Sequence, residues 1–179
     1  MTLINIPPQQ LFNRAYALWE DQWLLLTSGD YTESHYNAMT VSWGSLGVMW
    51  NQPFAQVVVR PTRYTFEFME KYATFTLCAF PAKYRSALQL LGAKSGRDSN
   101  KIKASGLTPI PAAVVAAPAY AEAELIIECQ KMYWQDFDPS HFLAPEIEEN
   151  YARRDYHRIY YGKILSISGA ARYLAAQPQ

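Results

Sequence analysis

The sequence predicts an α+β chain built on an antiparallel sheet, or a β-barrel with short helical crossovers. Three observations carry this. Six runs of β-branched, aromatic and apolar residues are spaced along the chain. The helical stretches between them are short. The runs do not alternate with long helices, and no GxGxxG follows the first of them, which argues against a Rossmann fold.

Taken in order, QWLLLTSG (22–29) is apolar and closes on a glycine. NAMTVSWG (37–44) mixes β-branched and aromatic residues and also closes on a glycine. FAQVVVR (54–60) follows a proline, and ATFTLCAF (73–80) alternates threonine with aromatic and apolar residues. In AEAELIIECQKMYW (121–134), Glu122, Glu124, Glu128 and Gln130 share one face, and Ala123, Leu125, Ile127 and Cys129 share the other. That pattern predicts a half-buried antiparallel strand. RIYYGKILSISG (158–169) is the sixth strand. Helices are predicted over 63–72, with Phe66, Met69 and Ala73 on one stripe, and over 83–92, with Tyr84, Leu88 and Leu91 on one stripe and Gly92 as a stop. Residues 98–107 read as one or two turns ending at Gly106, and 143–152 as another short helix. LTPIPAAVVAAPAY (107–120), with three prolines and many alanines, reads as an extended surface loop.

A chain of 179 residues, half of them hydrophobic and 15% aromatic, suggests one folded domain over 1–179 with its core at about 20–167. Lys plus Arg equals Asp plus Glu, 16 each, so no basic excess favours nucleic acid or an acidic membrane surface. Cys78 and Cys129 lie inside strand-like runs with no CxxC pairing, as expected of reduced core thiols in a cytoplasmic protein. MTLINIPPQQ shows no signal peptide, and no apolar run approaches the ~20 residues of a membrane span. The three histidines and two cysteines lack metal-ligand spacing, so no metal site is expected.

The segment VVVRPTRYTFEFMEKY (57–72) passes from a strand into a helix through Arg60, Thr62, Arg63, Tyr64 and Thr65. With Thr62 as N-cap, Arg63, Tyr64 and Thr65 form the first turn. Two guanidinium groups at the positive end of a helix are unfavourable unless an anion joins them. A phosphate can accept N–H bonds from the turn, O–H bonds from threonine and bidentate bonds from arginine. The other reading is that both arginines face solvent or pair with Glu67 and Glu70. In HYNAMTVSWGSLGVMWNQP (35–53), Asn37, Thr40 and Ser42 supply polar groups while Met39, Trp43 and Trp50 supply flat or soft surface. This suits a flat heteroaromatic ligand, and it equally suits an ordinary core strand. In DYHRIYYGKI (155–164), His157 stands at the entrance to a strand, either as a structural residue or as a donor of a hydrogen bond or proton.

Together NAMTVSWGSLGVMWNQP, VVVRPTRYT, GAKSGRDSNKIKASGL and DYHRIYYGKI, in this order, resemble the flavin reductase-like family of FMN-binding split barrels, in particular its flavoredoxin-type branch. The resemblance implies a Greek-key-like split β-barrel, a homodimer, and FMN in a groove near the dimer interface. It implies that Asn37, Met39, Thr40, Val41, Ser42 and Trp43 line the ring and ribityl chain. It implies that Arg60, Thr62, Arg63, Tyr64 and Thr65 form the phosphate turn, with Ser95, Gly96 and Lys101 in a further segment near the cofactor. His157 matches a histidine near the flavin and nicotinamide, which makes it the candidate catalytic residue. Arg60 and Arg63 depart from the Ser or Asn of many members and suggest a more cationic, tighter phosphate site. The implied activity is reduction of flavin by NADH or NADPH, or flavoredoxin-type electron transfer to a partner protein or ferric complex. A non-enzymatic flavin carrier, a structural split barrel and a pyridoxine-phosphate oxidase-like activity are the alternatives.

Overall fold

A computed structural model describes residues 2–176. Seven main strands follow one another as β1 (Leu24–Asp30), β2 (His35–Val41), β3 (Gly44–Met49), β4 (Gln52–Val59), β5 (Thr74–Ala79), β6 (Leu125–Asp136) and β7 (Arg158–Gly169). Three helices lie between them: α1 (Tyr64–Lys71), α2 (Arg85–Ala93) and α3 (Lys101–Ser105). The sheet runs β2-β1-β5-β6-β7-β4-β3, and every adjacent pair is antiparallel. Its two edges, β2 and β3, are consecutive in the chain and are joined only by Ser42 and Trp43. The sheet therefore curls round but does not close, giving a split barrel. Along each open edge, every second main-chain N–H and C=O points away from the sheet.

The inner face of the sheet buries Leu24, Leu26, Val57, Val59, Phe75, Leu77, Ile127 and Tyr160 in one core. The outer face of β1, β5 and β6 buries Leu25, Cys78 and Ile126 beneath α2, α3 and the 107–120 segment, against Leu88, Leu91, Ile102 and Tyr120. Both cysteines are buried free thiols, and burial pushes Cys78 up to about 12. Among the described residues, no helix is long and apolar enough to cross a membrane.

Three expectations need correction. The run 37–44 is not one strand: β2 ends at Val41, and Gly44 opens β3 after the chain has crossed the seam. The Glu124 and Glu128 face of β6 is not solvated, since these residues are only 1% and 2% exposed. Segment 107–120 is the cause for Glu128, whose carboxylate accepts the main-chain N–H groups of Ala113 and Val114 at 3.0 and 2.7 Å. Glu124 accepts from Gln22 Nε2 at 2.6 Å, Tyr173 Oη at 2.9 Å and Arg172. Segment 107–120 is accordingly not a plain surface loop. It pairs Pro109–Ile110 with Ala119–Tyr120 and buries Leu107, Ala117, Ala119 and Tyr120. The α3 stop falls at Gly106, in the left-handed region at φ 75°, as expected of a helix C-cap.

Candidate functional site

The seam between β2 and β3 is where the candidate residues gather. A recess of about 210 Å³ is lined by Met39, Thr40, Val41, Ser42 and Trp43 from the end of β2, by Arg60 and Arg63 ahead of α1, and by Val58, Gly92 and His157. A second recess, of about 410 Å³, shares Thr40, Ser42 and Gly92 with it and is walled by Trp23 and Leu88. Met39 and Val41 send their side chains into the core, and Thr40 Oγ1 donates to Leu88 O at 2.6 Å. Trp43 remains 47% exposed, its ring 5.2 Å from that of His157. The seam thus presents main-chain edge, an aromatic face and two guanidinium groups side by side.

The N-cap of α1 is Arg63, at φ −78° and ψ 134°, and not Thr62. No side chain caps the helix. The amide N–H of Arg63 donates to Arg60 O and that of Phe66 to Arg63 O, while those of Tyr64 and Thr65 have no acceptor among the described residues. Threonine at 62 failed as a cap because its hydroxyl faces Asp155 Oδ2, at 3.5 Å.

Pairing of the arginines with Glu67 and Glu70 does not occur. Glu67 is taken by Arg97 at 2.5 Å and Glu70 by Arg158 at 2.7 Å. Arg60 donates Nη1 to Asp155 Oδ1 at 2.9 Å and Nη2 to Asn150 O at 2.8 Å. Burial raises the Asp155 carboxyl, but the hydrogen bond and charge of Arg60 outweigh it and hold the group below its ordinary value. Arg63 has no carboxylate partner among the described residues and donates to Gly92 O. Its burial and the charge of Arg60 both work against its protonated form.

Lys101 belongs to the same electrostatic group although it lines a different recess. Its Nζ donates to Leu91 O at 2.9 Å and Lys94 O at 3.0 Å, so Lys101 and Arg63 both cap the carbonyl end of α2. Burial first, then the charge of Arg63, brings its pKa down to about 8. Asn37, Tyr64, Gly96 and Lys101 line that other recess, of about 600 Å³. Asn37 of that recess is tied to α1 by the buried hydrogen bond from its Nδ2 to Thr65 Oγ1, 2.7 Å. Gly96 closes against this pair: a Cβ there would stand 2.3 Å from Asn37 Oδ1 and 2.9 Å from the Tyr64 ring. Ser95 Oγ accepts the N–H of Arg97 at 3.2 Å.

The fold therefore brings Met39 to Trp43, Arg60, Arg63 and His157 into one recess. It places Asn37, Tyr64, Gly96 and Lys101 in the separate 600 Å³ recess, and Thr62, Thr65 and Ser95 line neither. Sequence reasoning missed Arg97, which straps the start of α1 by donating to Thr62 O at 3.2 Å and lying over the Tyr64 ring. It also missed Tyr151, whose hydroxyl lies 2.9 Å from His157 Nδ1. Neither has a periodic signal, because Arg97 lies in irregular chain and Tyr151 ends a short helical segment of only seven residues.

This arrangement, an incompletely closed antiparallel barrel with a cation-rich recess at its seam, defines a split-barrel protein. The flavin reductase like domain model matches residues 21–173, and the chain belongs to that family. No curated protein matches the chain. Among solved structures, an FMN-binding domain of a flavin reductases-like enzyme from Shewanella baltica OS155 superposes with a TM-score of 0.68 at 16% identity, covering 94% of this chain and 77% of that one. Flavoredoxin of Desulfovibrio vulgaris (Miyazaki F) gives 0.65 at 19% identity, covering 90% and 75%. The NADH:FAD oxidoreductase of Streptomyces globisporus C-1027 gives 0.63 at 14% identity, covering 84% and 76%. At these identities the likeness is one of fold.

Proposed function

We propose that this chain is a single-domain FMN-binding oxidoreductase, an NAD(P)H-dependent flavin reductase or a flavoredoxin-type electron-transfer protein. One observation carries the reading: Arg60, Arg63 and Lys101 converge near the start of α1, with two unpaired amides, against the carboxylate of Asp155, the other local carboxylate, Glu67, being matched by Arg97. The carbonyl end of α2 satisfies donors of Arg63 and Lys101 but supplies only a fraction of a charge. A phosphate dianion balances the group and fits its donors.

The residues present suit the rest of such a cofactor. The end of β2 at Thr40–Val41 and the seam residue Ser42 offer main-chain groups to a heteroaromatic rim, and Trp43 offers a flat apolar face. Arg63 and the α1 amides would hold the phosphate, with Lys101 supporting the charge from the neighbouring recess. A bound flavin would supply two-electron redox chemistry between NADH or NADPH and an acceptor. The protein's part is to bind, orient and limit access of water, with His157 offering a hydrogen bond beside Trp43. The exposed apolar β3–β4 hairpin supports a homodimer, with no nucleic acid or membrane partner.

The experiment is a binding titration with FMN and riboflavin, followed by anaerobic addition of NADH or NADPH. FMN binds and its visible bands bleach with one nucleotide. Arg63→Ala weakens FMN by about 10- to 100-fold, the worth of one charge-assisted hydrogen bond to phosphate, and leaves riboflavin nearly unchanged. Equal losses for the two flavins reject the phosphate assignment. Binding without bleaching leaves a flavin carrier and removes the reductase.

A further inference from the structure

We infer that Tyr151 is a positioning residue that fixes His157 as a neutral hydrogen-bond donor toward the cleft, so that this point of the site takes an acceptor atom of its ligand, a carbonyl oxygen or an unprotonated ring nitrogen. The inference concerns the same recess as the proposed function and rests on reading that recess as a ligand site.

Tyr151 ends the short helical segment Pro145–Tyr151 and is buried. Its ring is clamped on several sides. Phe142 stacks on it at 5.9 Å with planes 15° apart, Tyr156 lies 4.9 Å away, and the Arg60 guanidinium sits 5.0 Å from its centroid. Its hydroxyl lies 2.9 Å from His157 Nδ1, its oxygen also faces the main-chain N–H of His157, and no other acceptor is within hydrogen-bond reach among the described residues. Two proton arrangements are conceivable. If Nδ1–H donated to the phenol oxygen, the phenol hydrogen would be left with no acceptor in a buried position, at a cost of about 1–3 kcal/mol. If the phenol O–H donates to a bare Nδ1, both atoms are satisfied. The second arrangement therefore holds, and the neutral ring carries its hydrogen on Nε2.

Nε2 has no partner among the described residues, and no buried side-chain nitrogen or oxygen there lacks one. Nε2 is thus open to solvent, and the ring lines the recess beside Trp43. Protonating Nδ1 would turn the Tyr151 O–H away from its only acceptor. The groups around the ring agree with this. Burial and Arg60 disfavour the imidazolium, Asp155 favours it less strongly, and Arg63 adds a further positive charge in the same recess. A ligand meets a donor here across the neutral pH range. A ligand presenting its own N–H at this point meets donor against donor and is rejected.

Ring-labelled histidine ¹⁵N spectra of the ligand-free, full-length protein test this, because a protonated ring nitrogen and a bare one differ widely in shift. At pH 7 the expected result is a bare Nδ1 and a protonated Nε2 for His157, with titration delayed to about 4. Tyr151→Phe keeps the packing and removes the donor. It is expected to give a mixture of both tautomers and a midpoint moved up toward the ordinary 6.5. A protonated Nδ1 in the unaltered protein overturns the inference, even if the variant does not fold. So does a Tyr151→Phe protein with unchanged tautomer and midpoint. Because the spectra need no flavin, a bare Nδ1 in a protein that binds no flavin upholds the tautomer and removes only the flavin reading.

Discussion

His157 shows how one buried side chain links the site to the stability of the fold. Burial, reinforced by Arg60, lowers its pKa from 6.5 to about 4. Below 6.5 the unfolded chain takes up a proton that the folded chain refuses until about 4. The contribution of the neutral ring is therefore complete above the unfolded value and is lost as pH falls through this window. Its size is on the order of 2 kcal/mol once solvent screening at the recess mouth is allowed for. Urea unfolding at pH 7 and pH 4.5 should show the unaltered protein losing more stability than His157→Gln across the same step. Equal losses mean that the imidazole titrates freely in the fold. Lys101 runs by a different sign. Its depression to about 8 means that its buried charge costs stability at neutral pH, and that cost is relieved as pH rises from 8 toward 10.5. A phosphate bound near Arg63 relieves part of it without any change of pH. At this scale the sequence showed which residue types were unusual, namely arginines at a positive helix end and a histidine beside an aspartate. It did not show what they touch. Asp155 as partner of Arg60, Gly92 O as partner of Arg63 and Tyr151 as partner of His157 all come from packing between distant or irregular segments.

At the scale of elements, β6 and the 107–120 segment are coupled through Glu128. Its buried carboxylate accepts two adjacent main-chain N–H groups, from Ala113 and Val114. Glu128→Gln keeps one acceptor oxygen but turns an NH₂ group toward the second donor. The expected loss is about 1–3 kcal/mol, the cost of a buried donor left unpaired. Amide exchange at Ala113 and Val114 should quicken well before exchange in β6 itself. Uniform quickening across β6 would mean that the glutamate supports the sheet and not the segment. The same pair explains why β6 was legible as a strand and misread in its faces. Alternation from Glu122 to Gln130 marks the period, but no local pattern reveals that a proline- and alanine-rich segment folds over the polar side. The strand β7 was legible to its bounds, 158–169, because its aromatic and β-branched residues continue to a terminal glycine. The break at Ser42 was not. Gly44 reads as a terminator, whereas here the chain turns across the seam and begins the opposite edge of the sheet.

For the whole molecule, the open question is what completes a recess of about 210 Å³, below the roughly 300–1,000 Å³ of typical ligand sites. The neighbouring recess beside Trp23 supplies part of the space, and a second copy of the chain is the other source. The β3–β4 hairpin points to the face involved. Its two turn residues, Trp50 and Asn51, both have left-handed backbone, at φ 51° and 57°. Two such residues make the primed turn that suits the twist of a hairpin, but a tryptophan in that region carries strain that the surroundings must offset. The strained turn holds Trp50 57% exposed beside Tyr133, with Val48 73% exposed on the same hairpin. Under the proposed homodimer, this exposed apolar hairpin at a sheet edge is the face that pairs. Light scattering at micromolar concentration should therefore give the mass of two chains. Trp50→Glu should weaken the association by about 30-fold or more, as expected when a central tryptophan is removed from an interface. The hairpin lies on β3, whose first residue follows Ser42 and Trp43 directly, so dimerisation and flavin affinity should fall together. A protein that is monomeric before substitution has no such interface. A dimer whose Trp50→Glu monomer still binds FMN with undiminished affinity would show that one chain holds the complete site.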